Sequence, residues 1–255
     1  MTRILAIANQ KGGVGKTTTA VNLGASLGVA EKRTLLVDLD PQANASSGVG
    51  VARDEVRQSV YQVLMGQVPL REVIRRTESP HLDLAPATID LIGAEVELVD
   101  MAARESRLAK ALAPVLADYA FVVIDCPPSL GHLTLNALCA AHGVLIPLQC
   151  EYYAMEGLSS LLSTVEHVRA SYNPGLEIAG ILLTMFDPRN RLALQVADEV
   201  RRHFGDRVFR TIIPRNVRLA ESPSHGKPVL LYDIASKGAT SYLELAKEIL
   251  ANGRD

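Results

Sequence analysis

Short, uninterrupted runs of apolar residues recur along the chain and predict buried β-strands. Seven such runs are residues 4–8, 34–37, 82–85, 121–124, 144–148, 178–183 and 208–213. They are rich in β-branched side chains, which is typical of parallel strands that are covered on both faces. The hydrophobic pattern therefore predicts a sheet buried between two other layers.

Between these runs, apolar residues recur at spacings of three and four, as on one face of an α-helix. The predicted helices cover residues 17–29, 104–116, 133–141, 155–171 and 191–204. The more polar residues 54–76 show no clear strand and are interpreted as a helical excursion rather than a second domain. Alternation of strand and helix predicts a single α/β domain over residues 1–255, with a doubly wound, mainly parallel sheet flanked by helices.

Composition adds little that is specific. The 255 residues are 48% hydrophobic, which is enough for one substantial core, and the formal charge of −2 does not indicate nucleic-acid binding. The three cysteines, Cys126, Cys139 and Cys150, have no paired spacing and are interpreted as reduced, buried thiols. No apolar run has the length of a signal peptide or a membrane span, so we expect a soluble, cytoplasmic protein.

A glycine-rich stretch, NQKGGVGKTT at residues 9–18, joins the first predicted strand to the first predicted helix. Three glycines would let the backbone turn closely around phosphates: Gly12, Gly13 and Gly15. Lys16 would reach the β- and γ-phosphates, and the Thr17 hydroxyl would bind Mg²⁺. The alternative is a glycine-rich turn without a ligand, but the strand–loop–helix context favours a P-loop NTPase domain.

This loop departs from the usual pattern G-x-x-x-x-G-K-[ST] in two ways. Gln10 occupies the first glycine position, and Lys11 is a second lysine that the pattern does not require. From spacing alone, a solvated loop lysine and a second phosphate ligand are equally good interpretations of Lys11.

Aspartates follow two of the predicted strands. Asp125 ends the run FVVIDCPPS, where a carboxylate could hold Mg²⁺ through water; the alternative is a helix cap or turn. Asp38 and Asp40 lie in LLVDLDPQAN. Because Asp40 precedes Pro41 and leads into a loop, we expect it to orient the attacking water and assist the metal, with Asp38 in a structural role.

The runs KGGVGKTT, LLVDLDPQAN and VVIDCPPS together resemble the ParA/MinD group of deviant Walker-A ATPases. Longer runs, PATIDLIGAEVEL, IPLQCEYYAMEGL and IPRNVRLAESPSHGKPVLLYD, are similar to the chromosomal ParA/Soj type. The resemblance extends from Ile4 to about Ala251 and implies a DNA-segregation ATPase without an N-terminal DNA-binding extension. Ala43 and Ser222 depart from the glycine and alanine common in the family, and neither change removes a charged group.

The resemblance also implies a role for the extra lysine. In this family, the residue that matches Lys11 reaches across a dimer interface to phosphates bound by the partner, so that two subunits enclose two ATP molecules. The implied catalytic residues are Lys11, Lys16 and Asp40, and the implied Mg²⁺ residues are Thr17, Asp40 and Asp125. The implied nucleotide-binding residues are Lys11, Gly12, Gly13, Val14, Gly15, Lys16, Thr17 and Thr18 for the phosphates, and Met185, Pro214, Arg215 and Asn216 for the base.

The near-neutral total charge conceals a gradient. Residues 186–237 contain ten Lys and Arg against six Asp and Glu, whereas residues 1–185 contain fourteen against nineteen. From the sequence alone this is a solvated basic face or a surface for DNA phosphates. The resemblance implies that Arg189 and Arg218 bind DNA non-specifically in the ATP dimer. It also implies that a ParB/Spo0J-type centromere-binding partner stimulates hydrolysis at the nucleoid.

Three other functions remain open. A MinD-like membrane-positioning ATPase would need a C-terminal helix with a cationic face, and SYLELAKEILANGRD has none. An iron–sulfur reductase would need glycine-rich cysteine loops, which the three cysteines lack. A ParA-like ATPase that positions other protein cargo is not distinguished by the sequence.

Overall fold

A seven-stranded sheet forms the centre of the computed structural model, which describes residues 1–151 and 154–252. The strand order is β3-β4-β2-β5-β1-β6-β7, and every neighbouring pair is parallel except β3 with β4. The strands are β1 Arg3–Ile7, β2 Thr34–Asp38, β3 Arg75–Arg76, β4 Leu82–Ala85, β5 Phe121–Asp125, β6 Gly143–Gln149 and β7 Glu177–Thr184. Tyr152 and Tyr153, which belong to one of the family runs, lie outside the described residues.

Helices cover both faces of this sheet. They are α1 Lys16–Val29, α2 Asn44–Gly48, α3 Val60–Leu64, α4 Leu70–Val73, α5 Leu91–Glu97, α6 Arg107–Leu112, α7 His132–Ala140, α8 Ala154–Ser171, α9 Arg191–Phe204, α10 Val217–Glu221, α11 Val229–Tyr232 and α12 Lys237–Ala251. Successive residues of β1 enter opposite apolar layers, because side chains alternate along a strand: Ile4 packs with α7 and α8, and Leu5 with α1 and α12. The predicted doubly wound α/β fold is therefore confirmed.

One predicted strand is wrong. Residues 208–213 run beside β7 but form isolated bridges, Ile181 with Val208 and Phe186 with Pro214, rather than a continuous ladder. The backbone N–H groups of Arg210 and Thr211 donate to the Glu248 carboxylate of α12, at 2.8 and 3.0 Å. The N–H groups of Phe209 and Ile213 do donate to the Ile181 and Leu183 carbonyls of β7, so Glu248 interrupts the ladder between these two bonds.

Two helical predictions need correction in detail. Residues 104–116 form three pieces rather than one helix: a 3₁₀ turn at Arg104–Ser106, then α6, then a 3₁₀ segment at Ala113–Asp118. Pro114 lies at the start of the last piece, where it lacks the N–H that a continuing α-helix would need. The polar residues 54–76 contain only short helical pieces, a 3₁₀ turn, α3 and α4, and they end in the two-residue strand β3, which the hydrophobic pattern did not indicate.

The C-terminal helix α12 packs on the sheet. Its buried residues are Gly238, Ala239, Tyr242, Leu245, Ala246 and Ile249. The Thr19 hydroxyl of α1 and the Tyr242 hydroxyl are 3.2 Å apart in this interface. Among the described residues, no helix combines the length and the hydropathy that a membrane span requires.

Candidate functional site

Strand register brings three chain segments to one edge of the sheet. Asp125, the last residue of β5, is the direct partner of Ile7 in β1 and of Asp38 in β2. The loop after β1 and the loop after β2 therefore start beside Asp125. Ligands of open parallel sheets bind at such carboxyl ends, because loops and helix N-termini converge there.

The loop between β1 and α1 is held in a closed turn. Gly13 and Gly15 have φ angles of 75° and 88°, in the left-handed region that favours glycine. The Lys16 ammonium donates to the Lys11 carbonyl at 3.1 Å, and the Thr184 hydroxyl donates to the Val14 carbonyl at 2.8 Å. The loop therefore takes its shape from two glycines, one internal bond and one bond from the end of β7, and α1 begins directly behind it.

Asp125 is a fully buried acid without a hydrogen-bond partner among the described residues. Neither carboxylate oxygen has a partner in the described part of the chain at ordinary hydrogen-bond distance and angle, although the Thr17 hydroxyl is near enough to oppose part of the rise in the pKa of Asp125. Burial, followed by the neighbouring Asp38, raises the pKa of Asp125 well above its ordinary value. Buried acceptors normally have partners, so two unpartnered carboxylate oxygens beside this loop suit a group that holds a cation and its water better than they suit a structural turn.

Lys16 shares this environment. It is largely buried, and desolvation lowers the pKa of its ammonium while Asp125 and Asp40 oppose that shift. A buried lysine next to a buried aspartate leaves positive charge close to the loop. An anion bound in the loop would therefore meet an ammonium that has little competing hydration.

Asp38 and Asp40 differ in their surroundings. Asp38 accepts bonds from the Asp40 N–H, the Ser46 N–H and the Ser46 hydroxyl at 3.1, 2.8 and 2.7 Å. Burial raises the pKa of Asp38 to about 6 despite these bonds. Asp40 accepts from the Gln42 N–H at 2.9 Å and remains slightly exposed at the loop. This contrast fits the expected structural role of Asp38, and the expected role of Asp40 remains a prediction.

Lys11, the extra lysine, is paired on the outside of the loop. Its ammonium lies 2.6 Å from the Glu151 carboxylate, and the two side chains are 37% and 48% exposed. Glu151 also accepts from the Gln149 amide at 2.5 Å. Glu151 was not predicted, although it lies two residues after β6, and residues that follow strand ends of a parallel sheet are candidates for a site. Asn9, which accepts from the Lys11 N–H and donates to the Pro147 carbonyl, was not predicted either.

A cavity of about 290 Å³ lies beside the same loop. Its walls include the four residues that the resemblance implies for the base, together with residues of the loop and of α12: Met185, Pro214, Arg215, Asn216, Gly15, Thr18 and Tyr242. The buried Asn216 side-chain oxygen has no hydrogen-bond partner among the described residues. Met185 has a φ of 49°, a strained conformation for a long side chain. This mainly apolar space with one open acceptor suits a flat base that carries an amino group.

The two arginines implied for DNA lie on other elements and do not line this cavity. Arg189, just before α9, makes a bidentate pair with Asp187 at 2.9 and 2.8 Å and lowers the pKa of Asp187 to about 2. Arg218 in α10 pairs with Glu221 at 2.9 Å and with Asp233 at 3.1 Å. Both guanidinium groups remain at least half exposed, but each shares its charge with a carboxylate.

Metal-binding chemistry outside the loop region is limited. Within residues 1–151 and 154–252, no group of three or more His, Cys, Asp or Glu is placed to hold a metal ion. Cys126 and Cys150 are buried as expected, whereas Cys139 is only half-buried. Burial raises the pKa of the Cys150 thiol to about 11. A cation at Asp125 would therefore draw most of its ligands from water and from a bound phosphate, as Mg²⁺ commonly does.

Comparison with known proteins agrees with this geometry. A family described as an AAA domain matches residues 2–178. The chain is 58% identical to the chromosome partitioning protein ParA of Myxococcus xanthus, over 97% of this chain and 88% of that one. It is 56% identical to the sporulation initiation inhibitor protein Soj of Bacillus subtilis, over 99% and 100% of the two chains.

A solved structure is also similar. It is described as cobyrinic acid a,c-diamide synthase from Mycobacterium smegmatis with bound ATP analog and magnesium, and it matches with a TM-score of 0.87 and 42% identity, over 99% of this chain and 96% of that one. Fold, loop and full-length identity thus agree, and the chain belongs to the ParA/Soj family of chromosome partitioning ATPases.

Proposed function

We propose that this protein is a DNA-segregation ATPase that works as a nucleotide switch. Its ATP-bound dimer would bind DNA without sequence preference, and hydrolysis would return it to free monomers. The observation that supports this most is the placement of two lysines on one loop. Lys16 is buried beside Asp125, whereas the Lys11 side chain is 37% exposed and pairs with Glu151, a contact that it would leave to reach a second subunit.

ATP and Mg²⁺ are the proposed ligands. Main-chain groups of residues 12–18 and the Lys16 ammonium would bind the phosphates, and Met185, Pro214, Arg215 and Asn216 would enclose the adenine. The Thr17 hydroxyl, Asp125 and Asp40 would hold Mg²⁺, which neutralises charge on the phosphates when it is bound. Side-chain oxygens without partners among the described residues support this placement of the nucleotide: those of Asp125 near Lys16 for the phosphate end, and that of Asn216 in the cavity for the base.

Two further side chains, Asp40 and Lys11, would take part in hydrolysis. Asp40 would orient the attacking water at the phosphate side of the loop, and Lys11 of the partner subunit would add positive charge in trans, as an arginine finger does. Without this second lysine, a monomer would hydrolyse slowly, which suits a switch whose turnover a ParB/Spo0J-type partner stimulates.

DNA would bind through exposed basic groups, with Arg189 and Arg218 as the proposed contacts. Each arginine pairs with acids of its own chain, so a single subunit presents weakened positive charge. A dimer doubles the number of phosphate contacts, and affinity for DNA rises steeply with that number. DNA binding that depends on the ATP dimer follows, and the protein would then be cytoplasmic and associated with the nucleoid.

Membrane positioning, as in MinD-like proteins, is less well supported. The apolar face of helix α12 packs against the core, and the Glu248 carboxylate of this helix accepts hydrogen bonds from the backbone N–H groups of Arg210 and Thr211. A membrane-binding helix needs an apolar face that is free.

Positioning of other protein cargo stays an alternative. An amide-synthase activity, as in the description of the Mycobacterium smegmatis structure, is less well supported, because identity to the partitioning proteins is higher, at 58% against 42%.

The decisive experiment is DNA retardation of the purified protein on two unrelated duplexes with ATP, ADP or no nucleotide. We expect binding to both duplexes with ATP alone. Lys16→Ala should lose this binding, and Lys110→Ala, which removes an exposed lysine of α6, should keep it. DNA binding that is the same with ADP, or absent in all states, would contradict the proposed switch.

A further inference from the structure

The segment after β4 exposes a row of aliphatic side chains that do not contact the core. The buried face of α5 and the turn behind it is formed by Leu91, Ala94 and Leu98. The opposite side presents four side chains at helical spacing, called here the α5 stripe: Ile89, Ile92, Val96 and Val99. They are between 47% and 72% exposed. A contiguous apolar row of this kind marks an interaction surface, whereas single exposed aliphatic residues do not.

Acidic residues border the α5 stripe on one side. Asp90, Glu97 and Asp100 are all exposed, and within the described residues none of them pairs with a lysine or arginine. Glu97 accepts from the Tyr61 hydroxyl, and Asp90 accepts from the Thr88 hydroxyl. The Arg104 guanidinium reaches the far end of the stripe, where it donates to the Val99 carbonyl and pairs with Glu105. The surface therefore combines an apolar row with three acids that make no direct ion pair within the described residues.

This combination favours one kind of occupant. A symmetric contact with a second copy through the α5 stripe would place three acids of one subunit near the same three acids of the other, which is unfavourable. A helix with an apolar face bordered by lysines or arginines matches both features. We propose that the α5 stripe is the docking surface for a basic amphipathic helical segment of a partner protein.

A side chain of α5 connects this surface with the candidate site, and this connection rests on the proposed function. The Glu95 carboxylate accepts from the N–H groups of His132 and Leu133 at 2.7 and 3.2 Å, at the start of α7. The loop that precedes α7 begins at Asp125, and a Cβ on Gly131 would lie 2.5 Å from Glu95. Any movement of α5 on docking is therefore passed to the loop after Asp125.

The test uses the full chain and a fluorescent synthetic peptide of about five helical turns, with leucines on one face and lysines on the other. Fluorescence anisotropy should show saturable binding to the wild type. Ile92→Ser combined with Val96→Ser should weaken it about tenfold or more, because two buried aliphatic contacts are lost. Leu192→Ser combined with Leu194→Ser, at α9 positions that are 40% and 42% exposed, is the matched control and should leave the affinity unchanged.

Charge is tested separately. Glu97→Lys combined with Asp100→Lys should lower the affinity for the lysine peptide. A peptide with glutamate at every lysine position should not bind the wild type. The proposal is wrong if the wild type does not bind the lysine peptide, or if the stripe variant binds it as well as the wild type does. It is also wrong if the stripe variant changes self-association in sedimentation and leaves peptide affinity unaltered.

The connection through Glu95 has its own readout. Peptide affinity should differ between the ATP and ADP states of the wild type, since coupling between two sites is reciprocal. Glu95→Gln should keep the nucleotide-free affinity but lose this difference, whereas Glu78→Gln should retain it. If the wild type did not bind nucleotide, the proposed function would be contradicted but the docking surface would not. Docking is judged from the affinity for the peptide in the absence of nucleotide. A difference that persists in Glu95→Gln would exclude the connection.

Discussion

The Lys11 ammonium lies 2.6 Å from the Glu151 carboxylate, so the lysine proposed to act on a partner subunit is held by its own chain. The pair joins the loop after β1 to the end of β6, 140 positions apart in sequence. To bind a phosphate of the ATP in the partner subunit, Lys11 would have to leave the Glu151 carboxylate. Both side chains of this ion pair are partly exposed, so breaking it costs little free energy.

Removing the Glu151 charge should therefore favour the dimer. We expect Glu151→Gln to tighten ATP-dependent dimerisation roughly two- to fivefold, the range that corresponds to an exposed ion pair. Analytical ultracentrifugation over a concentration series with ATP measures this change. Glu78→Gln, at another exposed position, controls for the loss of one negative charge. Weaker dimerisation of Glu151→Gln would mean that Glu151 supports the dimer instead.

Asp125 should have opposite effects on stability and on metal binding. Asp125→Asn removes a buried charge with two open oxygens, and we expect the nucleotide-free protein to gain roughly 1–3 kcal/mol in free energy of unfolding. The same change should weaken nucleotide binding in the presence of Mg²⁺ by about tenfold or more. Urea unfolding and calorimetric titration measure the two quantities. A nucleotide-free protein that is destabilised by the change would contradict this account of the site.

Asp38 should make stability depend on pH in an unusual direction. Its pKa is about 6 in the folded protein against an ordinary 3.8, so the folded state binds more protons than the unfolded state between these values. The contribution of Asp38 to stability is thus highest at low pH, falls as pH rises from about 4 to about 6, and is constant above.

Urea unfolding at about pH 5 and about pH 7.5 measures this slope, and Asp38→Asn should flatten it by an amount on the order of 1–2 kcal/mol. The comparison uses the slope and not the absolute stability, because the variant also disturbs the bonds to Ser46. An unchanged slope in Asp38→Asn would assign the pH dependence to other groups.

Ala43 lies in a strained conformation. Its φ is 51° just before α2, in the left-handed region where a Cβ is unfavourable. We expect Ala43→Gly to stabilise the protein by about 0.5–1 kcal/mol, after the greater flexibility of glycine in the unfolded chain is included. Thermal unfolding measures the change. Ala45→Gly, inside α2, is the matched control and should destabilise by roughly 1 kcal/mol.

The proposed DNA contacts are separable from general charge effects. A plot of log affinity against log salt concentration has a negative slope. Arg189→Ala and Arg218→Ala should each make this slope shallower by about one, if each arginine contacts one phosphate. Arg76→Ala, on the opposite edge strand β3, should leave the slope unchanged. Equal salt slopes in all three variants would remove Arg189 and Arg218 from the interface.

Local features of the site were predictable from sequence, whereas contacts between distant segments were not. The loop with Lys16 and the strand ends at Asp38 and Asp125 follow from patterns within a few residues. The pairing of Lys11 with Glu151 depends on the order of β1 and β6 in the sheet, which no local pattern specifies. The predicted strand at 208–213 failed because Glu248, from α12, takes two of its backbone donors.

That same contact has a consequence for the solubility of the chain. β7 is an edge strand, and open edges of sheets recruit strands from other molecules into aggregates. Residues 208–214 lie along this edge, and Glu248 places a negative carboxylate over the donors that would otherwise face outward. The other edge, β3, is two residues long. Among the described residues, neither border of the sheet presents a long unpaired strand, an arrangement that disfavours polymerisation through strand pairing at high local concentration.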